Sequence, residues 1–430
     1  MKEKFIRTNR KRQGKMKQIY VLFIISFTVF IFSCKKVERV SEIKAKIIEA
    51  PPLKVKEHKI KITEEKELFH QLGGYNVGRN EFYIFDYITE TAKKNIILTI
   101  YDIDNMKEKN KVRLKTGDFM APGMFSRPIF DISYYGGEYY IFDGKISVFS
   151  ENFTYEYSAF ITDINKYEAC GSIDYFFSKD KIAPVLVLYD KRGALFKNKG
   201  WSMVFDINMY DLTKLRKARK IALIDSFKLE KMRLTIKKRK GGGHIWYFNY
   251  FIPRSFISSA GNKIVYGIGT NNGYYIYDTQ SKKKKFIRLG WLFPEKYSDE
   301  DARKLALYKK KDINNNKIFK QNHSKAVYRS FNEHPVYYQY AIKINDNEIA
   351  FLRDINIEEK TIKAYFIDID SGKCNQILTI PYPYQINYYK DILPYVYKVL
   401  YVDYKKGVYI YGDRDDDWND IVRYCRFDIK

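Results

Sequence analysis

The chain has 430 residues, 45% hydrophobic and 30% charged, a balance that supplies a packed core and excludes an intrinsically disordered chain. Its formal net charge is +26, of which residues 1–33, with eight basic and one acidic side chain, hold +7 and the remainder +19. That sign suits anionic partners such as lipid headgroups or acidic polysaccharide, and an aromatic content of 17%, with 39 Tyr and 30 Phe, favours strands over helices.

The first element is an apolar run from Ile19 to Phe32, broken only by Ser26 and Thr28 and preceded by Arg10, Lys11, Arg12, Lys15 and Lys17. Its length is that of a signal-peptide core and is too short for an ordinary membrane span. Met16 is an alternative start. Ile31-Phe32-Ser33-Cys34 resembles the bacterial lipobox, with Phe32 bulkier than the pattern. The resemblance implies a signal peptide over residues 1–33, cleavage before Cys34 and lipid on that cysteine; diacylglycerol plus an N-acyl chain would anchor the protein firmly to a membrane. Residues 34–54 then read as a lipid-anchored tether: they are charged, lack aromatics and contain Pro51-Pro52. A flexible coil over residues 35–57 reaches roughly 25 Å.

The remaining cysteines are Cys170, Cys374 and Cys425. No CxxC pair exists, which argues against a zinc site. Cys374 and Cys425 could pair in an oxidising compartment or remain buried free thiols.

Residues 55–430 contain a repeat of β-formers, then Asp, then an aliphatic or small residue. Copies are Ile100-Tyr101-Asp102-Ile103, Met209-Tyr210-Asp211-Leu212, Tyr275-Ile276-Tyr277-Asp278, Phe366-Ile367-Asp368-Ile369 and Arg426-Phe427-Asp428-Ile429, with a degenerate copy at Val148-Phe149-Ser150-Glu151. The pattern predicts a strand ending in a turn whose amides the Asp accepts. A second strand is expected before each copy, at 82–85, 139–142, 185–189, 263–268, 348–352 and 408–411. Six such units predict an all-β, six-bladed β-propeller of four-stranded antiparallel blades. The last copy has no return strand after it, so residues 55–63 (VKEHKIKIT) are expected to complete the sixth blade and close the ring. An insertion over about 292–334 carries a short helix, with Ser298 as N-cap and Asp299-Glu300-Asp301 in the first turn.

These features resemble the six-bladed β-propeller lipoproteins of bacteria, relatives of the NHL and TolB-like propellers. Gly117-Asp118-Phe119-Met120-Ala121-Pro122-Gly123-Met124-Phe125, followed by Pro128, is similar to a glycine-rich segment of that family, departing from it at Ala121 and Met124. The resemblance spans about residues 55–430 and implies fold far more than activity.

No constellation dictates chemistry. The five histidines, His58, His70, His244, His323 and His334, make no HExxH, and no GxSxG is present. Lys240-Gly241-Gly242-Gly243-His244 lacks the ending of a phosphate loop. Asp413 to Asp420 could ligate Ca²⁺ through alternate carboxylates, but Trp418 stands where a calcium loop needs Gly and Tyr424 where it needs Glu, so a solvated hairpin loop is expected. Lys237-Lys238-Arg239-Lys240 is a solvated basic run, and Tyr134-Tyr135, Tyr139-Tyr140, Tyr274-Tyr275, Tyr337-Tyr338 and Tyr388-Tyr389 are expected to serve packing first. The expected role is a monomeric envelope lipoprotein, in the outer membrane, that binds or scaffolds protein or glycan, with no enzymatic role, no cofactor and no nucleic-acid partner. The alternatives are a calcium-dependent lactonase- or esterase-like hydrolase in the central channel and a structural subunit of an envelope assembly.

Overall fold

The computed structural model describes residues 38–430 except 70–74, 89–94, 116–130, 143–144, 162–168, 179–180, 193–200, 213–216, 233–234, 239–243, 248–254, 269–270, 293–339, 357–358, 382–383, 386–394, 397–398, 415–419 and 430. Residues 39–430 form one compact unit; residues 1–38 form another, of which Glu38 alone is described. Among the described residues no helix is long and apolar enough to cross a membrane.

The described strands pair antiparallel in four-stranded sets, called sheets here and numbered in chain order, which parallel bridges join into ladders of nine, eight, five and four strands beside two two-stranded ones. The first is Tyr75–Asn76, Glu81–Ile88, Asn95–Asp102 and Glu108–Lys115; the second is Asp131–Tyr135, Glu138–Phe142, Ile146–Ser150 and Tyr155–Ile161. The third is Ala169–Ser178, Lys181–Arg192, Trp201–Asp211 and Lys217–Met232; the fourth is Ser255–Ala260, Lys263–Ile268, Gly273–Asp278 and Lys284–Arg288. The fifth is Tyr340–Asn345, Glu348–Asn356, Thr361–Asp368 and Cys374–Pro381. The sixth joins Val399–Asp403, Val408–Arg414 and Asp420–Ile429 to Glu57–Phe69 from earlier in the chain. Each repeat copy ends a third strand, and each expected preceding segment lies in a second strand.

Strand alternation explains how the sheets stack. Side chains on one face of a strand meet one neighbouring sheet and those on the other face meet the next. Phe82 and Ile84 pack with Tyr401, Val408 and Ile410 of the sixth sheet, whereas Tyr83 and Phe85 pack with Tyr139 and Ile141 of the second. Each such aromatic or aliphatic burial contributes about 1.5–3 kcal/mol. Equivalent shared clusters join the third sheet to the fourth, the fourth to the fifth and the fifth to the sixth. The second and third sheets meet where Phe160 and Ile161 pair in parallel with Lys217 and Ala218. First strands of successive sheets touch in turn, and the Tyr75 and Tyr401 rings, 5.3 Å apart, close the series from the sixth back to the first. This cyclic packing of antiparallel sheets is a β-propeller.

The closing strand does more than expected of residues 55–63. It runs on to Phe69, pairs antiparallel with the third strand of the sixth sheet from Ile60↔Ile429 to Phe69↔Ile421, and begins in parallel against the fifth sheet at Glu57↔Ile377. One segment therefore bonds two adjacent sheets.

Residues 40–50, read as part of a coil, dock on the fold. Val40 is buried in the core between the third and fourth sheets. Lys46–Glu49 adds a fifth, parallel strand beside Lys284–Arg288, and the Ala50 N–H donates to the Arg288 carbonyl at 2.9 Å. The physical reason is the unpaired edge of the fourth sheet, which the Ile47-Ile48 segment covers. Ile48 and Ala50 pack on the apolar cluster shared by the fourth and fifth sheets.

Candidate binding face and rim cleft

The antiparallel order gives the propeller two unlike faces. First-to-second and third-to-fourth strand turns lie on one, here called the turn face, and each spans five residues or fewer. The strand ends joined by second-to-third connections and by those between sheets lie on the other, the connection face; the longest such span in sequence is 289–339.

The turn face is braced by its repeat. The Asp102 carboxylate accepts from the amides of Asp104 and Asn105 at 2.9 and 3.3 Å. Asp278 accepts from Gln280 and Ser281 at 3.0 and 2.7 Å, and Asp368 from Ser371 at 2.9 Å. The residue after each Asp then donates its N–H to an Asn carbonyl in the neighbouring turn: Ile103 to Asn80, Thr279 to Asn262 and Ile369 to Asn347. The Asn262 side-chain amide reaches Asp278 Oδ2 at 3.0 Å. That asparagine directly precedes the second strand in all three sheets, a signal the sequence reading missed.

A cleft of about 460 Å³ opens at the rim of the fourth sheet, lined by Ala45, Ile47, Asn271, Asn272, Tyr275, Phe286 and Arg288. Its floor is the Tyr275–Phe286 pair, with ring centroids 4.6 Å apart. Asn271 and Asn272 precede the third strand, and Gly273 must be glycine there, because a Cβ would fall 1.9 Å from the Ile287 carbonyl oxygen. Arg288 Nη1 pairs with Glu49 Oε1 at 3.0 Å, while its Nε is buried and has no hydrogen-bond partner among the described residues. Beneath lies a buried ion pair, Lys284 Nζ to Asp225 Oδ2 at 2.5 Å, which joins the fourth sheet to the third. Lys284 Nζ also stands 5.3 Å from the Tyr275 ring centroid. Burial raises the Tyr275 phenol pKa, and the Asp225 charge adds to the rise, so the phenol stays neutral. Amides, a guanidinium and an aromatic floor can hold a polar, anionic group.

No protein-family description and no curated protein matches the sequence. Solved structures resemble it at low identity. Regucalcin, a calcium-binding protein from Agrobacterium tumefaciens, is 9% identical, with 89% of this chain and 97% of that chain covered and a TM-score of 0.35. The β-propeller domain of the Trilobed protease from Pyrococcus furiosus is 11% identical, with 85% and 97% covered and a TM-score of 0.33. A protein of unknown function from Dyadobacter fermentans is 8% identical, with 86% and 99% covered and a TM-score of 0.37. Nothing about ligand or activity passes from these to the present chain.

Of the cleft residues only Tyr275 was singled out by sequence, as a packing residue of the repeat, because the lining comes from three separate segments. Of the residues that were, Cys34, the glycine-rich segment 117–125, the inserted helix at 298–311, His70, His323, His334, Tyr337-Tyr338 and Tyr388-Tyr389 lie outside the described residues. The acidic segment is a hairpin, as expected, with Arg414 opposite Asp420; Asp415 to Asn419 are outside the described residues. Lys237 and Lys238 are not in a loop: Thr235–Lys238 pairs with His244–Tyr247. Tyr139 and Tyr140 are both buried, the first on the sheet-one side and the second donating to Glu138 at 2.5 Å. Cys374 and Cys425 are free, buried thiols. Among the described residues no three His, Cys, Asp or Glu side chains converge as a cation site.

Proposed function

We propose that the protein is cleaved before Cys34, lipid-anchored there to the cell envelope, and uses a six-bladed propeller to bind a protein or glycan on its connection face. The contrast between faces carries this reading. The turn face is short and cross-braced at Asp102, Asp278 and Asp368, whereas every long connection, including 289–339, leaves the opposite face. Loops held by a rigid scaffold are where binding residues concentrate.

The test begins with intact mass and membrane fractionation of the native protein beside Cys34→Ala. Wild type should lack residues 1–33, carry lipid mass and sediment with membranes, and the variant should do none of these. A photo-crosslinking residue at Lys360, on the connection face, should then trap an envelope protein or glycan that one at Lys373, on the turn face, does not. Equal trapping at both positions overturns the face assignment. Hydrolysis of a lactone or ester by the purified chain would replace binding with the hydrolase alternative.

A further inference from the structure

A basic and partly apolar strip crosses the rim of the fourth sheet, from the third sheet, where Glu38–Arg39 pairs, to the fifth, where Glu57 pairs. Residues 39–56 and the turn 279–283 together expose seven basic side chains against two acidic ones, Glu42 and Glu49. Lys44 and Lys46 precede and begin the added strand; Lys282 and Lys283 lie in the turn leading into the neighbouring strand. Two large apolar side chains project from the same segment, Ile47 at 54% exposure and Leu53 at 41%. The cleft with Arg288 opens directly behind Ile47.

We infer that this rim is a contact surface for an anionic lipid bilayer, with Ile47 and Leu53 entering the headgroup layer, the lysines on its phosphates and the Arg288 cleft open to one headgroup. The inference rests on the lipid anchor proposed at Cys34. Only residues 35–39 separate that cysteine from the buried Val40, so chain length alone keeps the two within about 20 Å. The docking of residues 40–50 therefore holds Val40, where the docked segment begins, within about 20 Å of the anchor, a distance at which the rim can reach the membrane. Basic side chains and exposed aliphatics on one strip are the chemistry an anionic interface rewards.

The lipidated full-length protein, reconstituted in vesicles, decides the matter. A fluorescent probe is placed at Ile47→Cys and, as control, at Lys111→Cys on the outer strand of the first sheet. In vesicles containing phosphatidylglycerol the Ile47 probe should be shielded from aqueous iodide and quenched by bromine-labelled lipid, and the Lys111 probe should remain open. Neutral phosphatidylcholine, or replacement of Lys44, Lys46, Lys282 and Lys283 by Gln, should reduce the shielding by about tenfold or more in equilibrium constant. A lipidated chain whose Ile47 probe is as accessible as the Lys111 probe overturns the rim contact and leaves the anchor intact. A chain without lipid mass overturns the anchor, and the rim contact with it.

Discussion

Lys263 Nζ donates to both carboxylate oxygens of Asp370, at 2.7 and 2.6 Å, and so ties a turn of the fourth sheet to a turn of the fifth. The same step recurs around the turn face: Lys406 meets Asp104 at 3.0 Å between the sixth and first sheets, and Arg79 meets Glu151 at 3.3 Å between the first and second. The Lys263 and Asp370 side chains are 30% and 52% exposed, so solvent screens their attraction. A double-mutant cycle of Lys263→Met and Asp370→Asn, read by urea unfolding, should give a coupling of about 0.3–1 kcal/mol. A value above about 2 kcal/mol would show that the braces, rather than the inter-sheet core, hold neighbouring sheets together.

The buried pair between the third and fourth sheets behaves differently. Asp225 accepts from Lys284 at 2.5 Å and from the Tyr266 hydroxyl at 3.1 Å, with the Lys284 side chain 5% exposed. Asp225→Asn leaves a buried ammonium without its counter-charge, which costs about 3–5 kcal/mol. Adding Lys284→Met removes the orphaned charge and should recover most of that loss. Urea midpoints of the two variants check this; equal midpoints would mean that water reaches Lys284.

The second- and third-strand positions were legible because their β-formers run on without a polar break, as strands buried on both faces require, and because third strands end in an Asp that holds the turn. First strands were less legible. Tyr75–Asn76 spans two residues, and Ser255–Ala260 reads SFISSA, too polar to announce a strand that is nonetheless packed on both faces. The docking of Lys46–Glu49 depends on an open edge 239 residues away in sequence, which no local pattern encodes. The rim cleft is of the same kind: Ile47, Asn271 and Arg288 meet only after that edge is covered.

Acid should weaken the turn face at a definite place. The Ser281 amide above all, with the Gln280 amide and the Asn262 side chain, holds the Asp278 carboxyl below its ordinary value. A carboxyl depressed in the folded state contributes stability that is complete above the unfolded value, near 3.9, and is lost as pH falls through the folded value. Asp104 and Glu57 shift the same way, since Lys406 and Lys363 outweigh the opposing effect of burial. Unfolding midpoints measured from pH 6 to pH 2 should therefore fall below about pH 4, and Asp278→Asn should flatten that fall. An unchanged acid limb in the variant would contradict the turn geometry.

The thiols should be silent until the fold opens. Burial, first of all, pushes Cys374 up to about 11 and Cys425 up to about 12. At pH 8 few thiolates form, and access is closed as well. In a Cys34→Ala, Cys170→Ser background, Ellman's reagent should titrate neither remaining cysteine in the native protein and both in guanidinium; rapid native reaction at either would overturn its placement.

Gly372 tests whether residues 40–50 belong to the fold. It turns at a φ of +70°, and a Cβ there would approach Ile287 Cγ2 to 2.6 Å and Ala50 Cβ to 2.8 Å. Gly372→Ala must therefore strain its own backbone, by about 1–3 kcal/mol, and displace either the fourth sheet or the docked segment. Because the segment is joined to the sheet by one short parallel ladder, it is the part that gives way. Protease cleavage within residues 44–54 should accelerate in the variant more than global unfolding does, as judged by urea midpoints measured in parallel. If cleavage there is as fast in wild type as in the variant, the segment is a free tether after all, and the case for a membrane-facing rim falls with it.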